Sequence, residues 1–482
     1  MAIRTITTSP LSKYSLSNPT IISDGGYTLL YLSRDRSTFY ATSTGSASQQ
    51  SKLNKSTDGG VTWTLIKEMN SVQTNGYING MLELPSGEVL ISMSPFNSFA
   101  NQIYRSTGWV SNPATATWTS KTGGSLFNTQ LIGIYGMNHR SIGTNGIILA
   151  AEGGAQTDGI ATQGLTKISS GTGYTTATLS ATSGGTGESF AVNITGGDIV
   201  RIAVLNGGTG HTNGTFHFSI SGDGSGADWT YTVSGGVISG VQTAKARRLF
   251  LSTDFGENWS QIFDVYTTPT YKYGSGIHLH AVAYDEEWDR IWLLFGDNTG
   301  DGTTISGYPT NTQMYYSDDR GSTWTLYPAF PYVEGHSIKG QFTSIRIYKN
   351  NIVLGTDAMS TCFGSVIIPR IGFKQLGTPQ FGPGFVLNTS IVQEQTSAYS
   401  VDDSYPAFMT LSAVSAANDP VVLISSDGGT TWNELWRETD FVTRPRITGG
   451  CIRTFLGPDT SNRVLGRYSG YSSFLQGTLV SN

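Results

Sequence analysis

The sequence predicts an all-β chain assembled from repeated sheet units, and three observations predict it. An octad of the form Ser-x-Asp-x-Gly-x-(Thr/Asn)-Trp occurs four times. Sixty glycines, with only 13% of residues charged, describe a chain rich in tight turns rather than in solvated helices. No long stretch carries apolar residues at helical spacing, whereas short alternating runs recur throughout.

The first octad is Ser56-Thr57-Asp58-Gly59-Gly60-Val61-Thr62-Trp63; the others begin at Ser252, Ser317 and Ser425 and end at Trp259, Trp324 and Trp432. Asp bonds the backbone just after it and Gly accepts positive φ, so each octad reads as a tight turn between two strands. The Trp opens the next strand and buries a large apolar face. The pattern resembles the Asp-box, the bacterial neuraminidase repeat found at a hairpin turn in blades of sialidase-like β-propellers. That resemblance implies a β-propeller whose boxes lie away from the active centre, so the box Asp and Trp residues are expected to be structural.

Successive box serines stand 196, 65 and 108 residues apart. With roughly 40 to 60 residues per four-stranded blade, these are two steps plus an insertion, one step and two steps, which puts the boxes in blades one, three, four and six. Blade two keeps the flanks of a box in Ile103-Tyr104-Arg105-Ser106 and Thr117-Trp118, and residues 364–376 take that place in blade five. Inner strands read clearly at Met81 to Leu84 and Val89 to Ser92, and again at Ala281 to Tyr284 and Arg290 to Leu294. Runs at 451–455, 463–468 and 474–480 supply three late strands, and Ile3 to Thr7 is the expected fourth. Joining the two ends of the chain in one sheet leaves no open edge at the seam. The expectation is a seven-bladed β-propeller, with six blades the alternative.

Residues 160–245 are different in kind and divide the propeller into 1–159 and 246–482. Gly171-Thr172-Gly173-Tyr174-Thr175 recurs as Gly208-Thr209-Gly210-His211-Thr212, and alternating runs such as Ser189 to Ile194 lie between the copies. This reads as a small duplicated β domain inserted in blade three. It looks like the glycine-rich β repeats of bacteriophage tail and fibre proteins.

A net charge of −5 argues against nucleic-acid partners, which demand a basic face. Cys362 and Cys451 are too few for a disulfide framework and read as small buried apolar residues. The amino terminus lacks the apolar core of a signal peptide, and no run of about 18 apolar residues predicts membrane insertion. The expectation is a protein made in a host cytoplasm and carried in a virion beside other virion proteins.

In a blade with strands A to D, the A–B and C–D turns share one face, so the far ends of strands A and B share the other. On that far face the ends of strand B carry Glu152, Asp297 and Asp357, and the starts of strand A carry His139, Arg140, His278, His280 and His336. Tyr271, Tyr273 and Tyr332, with Tyr266, Tyr327 and Phe330, stand in the preceding loops. Three carboxylates and several histidines suit acid and base chemistry, while exposed rings stack on sugars. The plainer alternatives are acids that cap loops and rings that pack them. His278-x-His280 with Asp297 makes a weak metal signal, and Asp297-x-Thr299-x-Asp301-Gly302 lacks a Glu at loop position twelve, where Tyr308 stands. No metal or cofactor is assigned.

Sialidases of the resembled family use three arginines, a Tyr–Glu pair and an Asp, with an Arg-Ile-Pro motif ahead of the first box. That motif is absent, and the matching strand, Asn18-Pro19-Thr20-Ile21-Ile22, has no arginine. Asp-box propellers that cleave neutral glucans use paired aspartates, which keeps a glycoside hydrolase acting through Glu152, Asp297 and Asp357 open. The reading adopted is a virion-associated binder of cell-surface carbohydrate, with His139, Arg140, Tyr271, Tyr273, His278, His280, Tyr332 and His336 as contacts. An architectural tail component is the third possibility.

Overall fold

The computed structural model describes residues 14–23, 25–45, 51–72, 76–95, 102–121, 146–151, 165–195, 197–239, 248–264, 278–296, 304–305, 308–309, 313–327, 341–348, 350–357, 365–381, 391–395, 407–413, 421–427, 430–437, 452–468 and 473–482. The chain is all-β: apart from one 3₁₀ turn at Met69–Ser71, every regular element among these residues is a strand.

Outside residues 165–238 nearly all the strands pair as antiparallel meanders in chain order. The first runs through Thr28–Leu32, Phe39–Ser43, Lys52–Ser56 and Thr64–Glu68, and the second through Gly76–Glu83, Val89–Pro95, Gln102–Thr107 and Thr117–Ser120. Three strands of the third are described: Ile148–Ala151, Arg248–Ser252 and Ser260–Asp264. His278–Asp285, Arg290–Gly296, Gln313–Ser317 and Thr325–Leu326 make the fourth. In the fifth, Gln341–Ile347, Asn351–Asp357 and Ser365–Gly372 are followed by Gln375–Leu376; in the sixth, Ile391–Gln395, Ala407–Ala413 and Val421–Ser425 are followed by Asn433–Arg437. A single pairing of Asp357 with Gln393 joins these two.

The last meander contains Ile452–Leu456, Arg463–Tyr468 and Ser473–Ser481, and its outer edge is Tyr14–Ser23. Ile3 to Thr7, the strand expected there, lies outside the described residues. Tyr14–Ser23 carries Pro19, Asn18 at φ 50° and a register slip between Ser17 and Thr20. Pro has no N–H to give a ladder, so it is confined to an edge such as this one.

Strands with both faces covered read as continuous apolar runs because each side meets a different sheet. In the third meander Ile148, Ala150 and Phe250 pack with Leu90 and Ile91 of the second, while Leu149, Leu249 and Phe263 pack with Val282 and Leu293 of the fourth. The scheme continues from Trp292 and Leu294 to Ile352 and Leu354, from Val353 and Ile367 to Val421 and Leu423, and from Val422 and Ile424 to Phe455 and Val464. Leu456, Leu465 and Phe474 then pack on Leu32 and Phe39, which returns the packing to the first meander. Each fully buried Leu or Phe contributes about 1.5–3 kcal/mol of burial.

Residues 165–238 pair only among themselves. Their core of Leu165, Tyr174, Ile202, Phe218, Trp229, Tyr231 and Val233 is drawn wholly from within that span. On either side, Ile148–Ala151 and Arg248–Ser252 pair directly, Ala151 opposite Leu249. The sequence duplication has a backbone counterpart, since the Tyr174 N–H donates to Gly197 O at 2.9 Å and the His211 N–H to Gly236 O at 3.0 Å.

Candidate functional site

Each octad folds around its serine. Ser317 Oγ donates to Asp319 Oδ1 at 2.8 Å and accepts the Gly321 N–H at 2.7 Å; Asp319 then accepts the Thr323 N–H and hydroxyl at 2.8 and 2.6 Å. Ser56, Ser252 and Ser425 hold Asp58, Asp254 and Asp427 in the same way, at 2.7 to 2.8 Å. Burial works to raise the Asp58, Asp254 and Asp319 carboxyls, but the bonds from Thr62, Asn258 and Thr323 and from the serines outweigh it and hold them below the usual range.

The boxes also clamp one sheet to the one before it. A Cβ on Gly60 would lie 2.7 Å from Leu465 of the last meander, one on Gly256 2.6 Å from Leu90 of the second, and one on Gly321 2.5 Å from Ile262 of the third. These glycines have φ of +82° to +94°, where other residues are strained. Trp324 Nε1 donates to Ile262 O at 3.1 Å, and Trp63 stacks on Tyr27 at 5.1 Å. The box end of the molecule is occupied with joining sheets.

A second cluster on that end was missed by the sequence reading. Arg370 lies 3.0 Å from Asp285 and 3.1 Å from Glu287, and its guanidinium stacks on Trp288 at 4.2 Å. Arg290 grips Asp318 through two bonds of 2.8 Å and covers Tyr316 at 4.2 Å. Burial raises the Asp285 carboxyl, and Arg370 opposes the shift. These groups satisfy one another across the fourth and fifth meanders and make a bridge rather than a receptive site. The acidic turn Asp285-Glu286-Glu287-Trp288-Asp289 was its only signal in the sequence. Arg346 is buried near the same end, one pair from the turn.

Within residues 165–238, Ser183 Oγ is 3.0 Å from His211 Nδ1, and His211 Nε2 is 3.6 Å from Glu188 Oε2. This order of groups resembles a nucleophile relay, but Ser183 and His211 are both buried. Gly185 and Gly208 press on the imidazole, and Tyr174 fills the corresponding slot of the other copy against Gly224. His211 is a packing ring.

Of the residues expected on the opposite end, Asp357 closes the strand Asn351–Asp357, where its backbone pairs with Gln341 on one side and Gln393 on the other. His278 opens its strand opposite Gly296, the last residue before Asp297. Between them the structure brings two strand ends of the expected sector to that end. His280 departs from expectation. Leu279 pairs with Phe295 and Ala281 with Leu294, so His280 is an extra residue in the ladder and the period-two argument for two rings on one side fails. Tyr327 is half-buried, its ring 6.5 Å from that of Trp292, and so packs the loop. Glu152, Asp297, His139, Arg140, Tyr271, Tyr273, Tyr332 and His336 lie outside the described residues. Among the described residues no three His, Cys, Asp or Glu side chains are grouped to hold a metal, and no helix is long and apolar enough to cross a membrane.

No family model matches the chain, and no curated protein matches it. Among solved structures it is similar to Raptor of Chaetomium thermophilum, with a TM-score of 0.43 and 8% identity over 97% of this chain and 30% of that one. A prolyl endopeptidase gives a TM-score of 0.34 and 10% identity over 86% of this chain and 50% of that one. The intramolecular trans-sialidase of Ruminococcus gnavus gives 0.35 and 12% identity, over 99% and 97%. The chain thus spans half or less of the first two. At these TM-scores the likenesses carry no argument.

Proposed function

We propose that the meanders are the blades of a seven-bladed β-propeller, with residues 160–245 inserted in the third, and that the protein binds cell-surface glycan as part of a virion. Support for the ring comes from the packing that returns from the last meander to the first. The end opposite the boxes is the binding face. The observation that carries this reading is a division of labour between the two ends: box glycines and tryptophans are committed to sheet-to-sheet contacts, whereas Asp357, His278 and the departure point of residues 165–238 after Ala151 share the other end. The duplicated glycine-rich unit supports placement on a tail or fibre.

The test is incubation of the full chain with purified host-surface polysaccharide. Retention without release of new reducing ends is expected, and deletion of residues 160–245 weakens attachment to cells. Release of oligosaccharide that vanishes on Asp297→Asn makes the protein a glycoside hydrolase instead. Absence from purified particles overturns the virion assignment.

A further inference from the structure

Within the inserted span, Ser225–Ser234 is the middle strand of a sheet, flanked by Leu165–Thr172 on one side and Gly214–His217 on the other. Tyr231 stands opposite both Leu165 and Phe216, and all three pack in the core of that span. Side chains alternate along a strand, so the positions next to these lie on the other face. There Thr230 is flanked by Thr166 and His217 in one row across the three strands, and Thr232 is opposite Thr215 in the next. Asp228, two residues before Thr230, reaches diagonally to His217, its Oδ1 2.7 Å from Nδ1. Thr166, Thr215 and His217 are exposed, and Asp228, Thr230 and Thr232 are half-buried, so among the described residues the face is uncovered.

A one-sided sheet turns polar residues outward, and Lys or Glu would meet that need equally well. Here the six positions hold four threonines, a histidine and an aspartate. Lys167, the only Lys or Arg on the three strands, is opposite Trp229, with its ammonium 6.0 Å from that ring. Thr is stiff at χ1, so these hydroxyls cost little further ordering when a ligand engages them. The His217–Asp228 pair, with side chains 62% and 40% exposed, adds little stability. What it does is set the ring: an ionised carboxylate only accepts, so Nδ1–H donates to it and Nε2 is left for a ligand. Strand spacings make the patch about 10 Å across and about 14 Å along.

We propose that this face binds a neutral saccharide, exchanging hydrogen bonds with its hydroxyls through Thr166, Thr215, Thr230 and Thr232 and through Nε2 of His217, which Asp228 positions. The occupant follows from the chemistry of the six side chains. None is a large apolar residue, so a protein partner finds no anchor. None is Lys or Arg, so a polyanion finds no fixed charge to neutralise it. A polyhydroxyl ligand is matched by groups that both donate and accept. The proposal rests on the glycan-binding reading above and adds a contact in the inserted span to the acids and rings of the propeller.

The experiment screens the full chain on a printed panel of neutral and uronic-acid-bearing oligosaccharides, on which the neutral ones should dominate. The best binder is then titrated against wild type and variants, with Ser322→Ala on a box turn as control. Thr166→Val, Thr230→Val, Thr232→Val and His217→Ala should each weaken binding about 3- to 10-fold, the loss expected for one hydrogen bond. Asp228→Ala should lose as much, whereas Asp228→Asn, whose amide oxygen still accepts from Nδ1–H, should recover most of it. Hydrogen exchange of the wild type with and without the oligosaccharide gives a readout independent of how the variants fold, and slowed exchange is expected in peptides covering 165–170, 214–218 and 228–233. Selective binding of uronic acids, unchanged variant affinities, or protection confined to other segments overturns the proposed face while the glycan reading stands. No binding to any saccharide on the panel overturns both.

Discussion

Replacing Gly60 by Ala tests whether the packing closes on itself. Gly60 sits at φ +89°, and an added Cβ would lie 2.7 Å from Leu465 Cδ2 and 3.1 Å from Cδ1, more than 400 residues away in sequence. The backbone term is about 1–2 kcal/mol for a side chain at strongly positive φ, and overpacking adds about 1–3 kcal/mol. With an unfolding entropy of about 2.1 cal/mol/K per residue over 482 residues, a loss of about 3 kcal/mol lowers the midpoint by about 3 °C if the chain unfolds as one unit. Leu465→Ala alone costs about 2–5 kcal/mol, because Leu465 is fully buried. In the double variant the clash disappears while the φ strain persists, so the combined loss falls short of the sum by the overpacking part, about 1–3 kcal/mol. The assay is denaturant unfolding of all four proteins. Additivity within about 0.5 kcal/mol would mean that the first box does not rest on the last sheet, and the closed ring would fall with it.

Three further outcomes follow from the same structure. Ser317→Ala strips the half-buried Gly321 N–H of its acceptor, at about 1–3 kcal/mol; Ser322→Ala, whose hydroxyl is on the exposed turn, should unfold within about 0.5 kcal/mol of wild type. Because Asp58, Asp254 and Asp319 titrate lower when folded, the unfolded chain binds more protons between the two values. Their stabilisation is present above about pH 4 and drains away as pH falls through the folded values. A unfolding–pH profile should flatten in that range for Asp319→Asn, and an unchanged slope would contradict the assignment. Arg370→Ala leaves Asp285 buried without its partner and should cost about 3–5 kcal/mol, against at most about 1 kcal/mol for Arg320→Ala, whose pair with Asp289 is 46% exposed on both sides.

The turns were legible in the sequence because they are local. A Ser, an Asp and a Gly within five residues close their own hydrogen bonds, so Ser56, Ser317 and Ser425 each mark the passage from third to fourth strand of a sheet and Ser252 the passage to the last described strand of its own. Asn18 to Ile22 read as a strand, but its partner did not: Asn18 and Pro19 break its alternation, and what seats Tyr14–Ser23 in the last sheet is the far end of the chain, Ser473–Ser481. The Arg370–Asp285 bridge escaped because its halves are 85 residues apart, and the acidic turn around Asp285 does not say which distant cation meets it.

The bulges show the limit of pattern reading most sharply. A bulge is a mismatch between two strands, and a single strand carries no mark of it: Ile78-Asn79-Gly80 and Leu279-His280-Ala281 read as ordinary alternation until Ser92 and Leu294 are found opposite the wrong residues. A one-residue slip exchanges the faces of everything beyond it, which is why His278 and His280 could not be assigned to one side from spacing alone. The apolar residue before each bulge faces a different constraint from the bulged one. Ile78 and Leu279 are buried between sheets, so packing decides their identity.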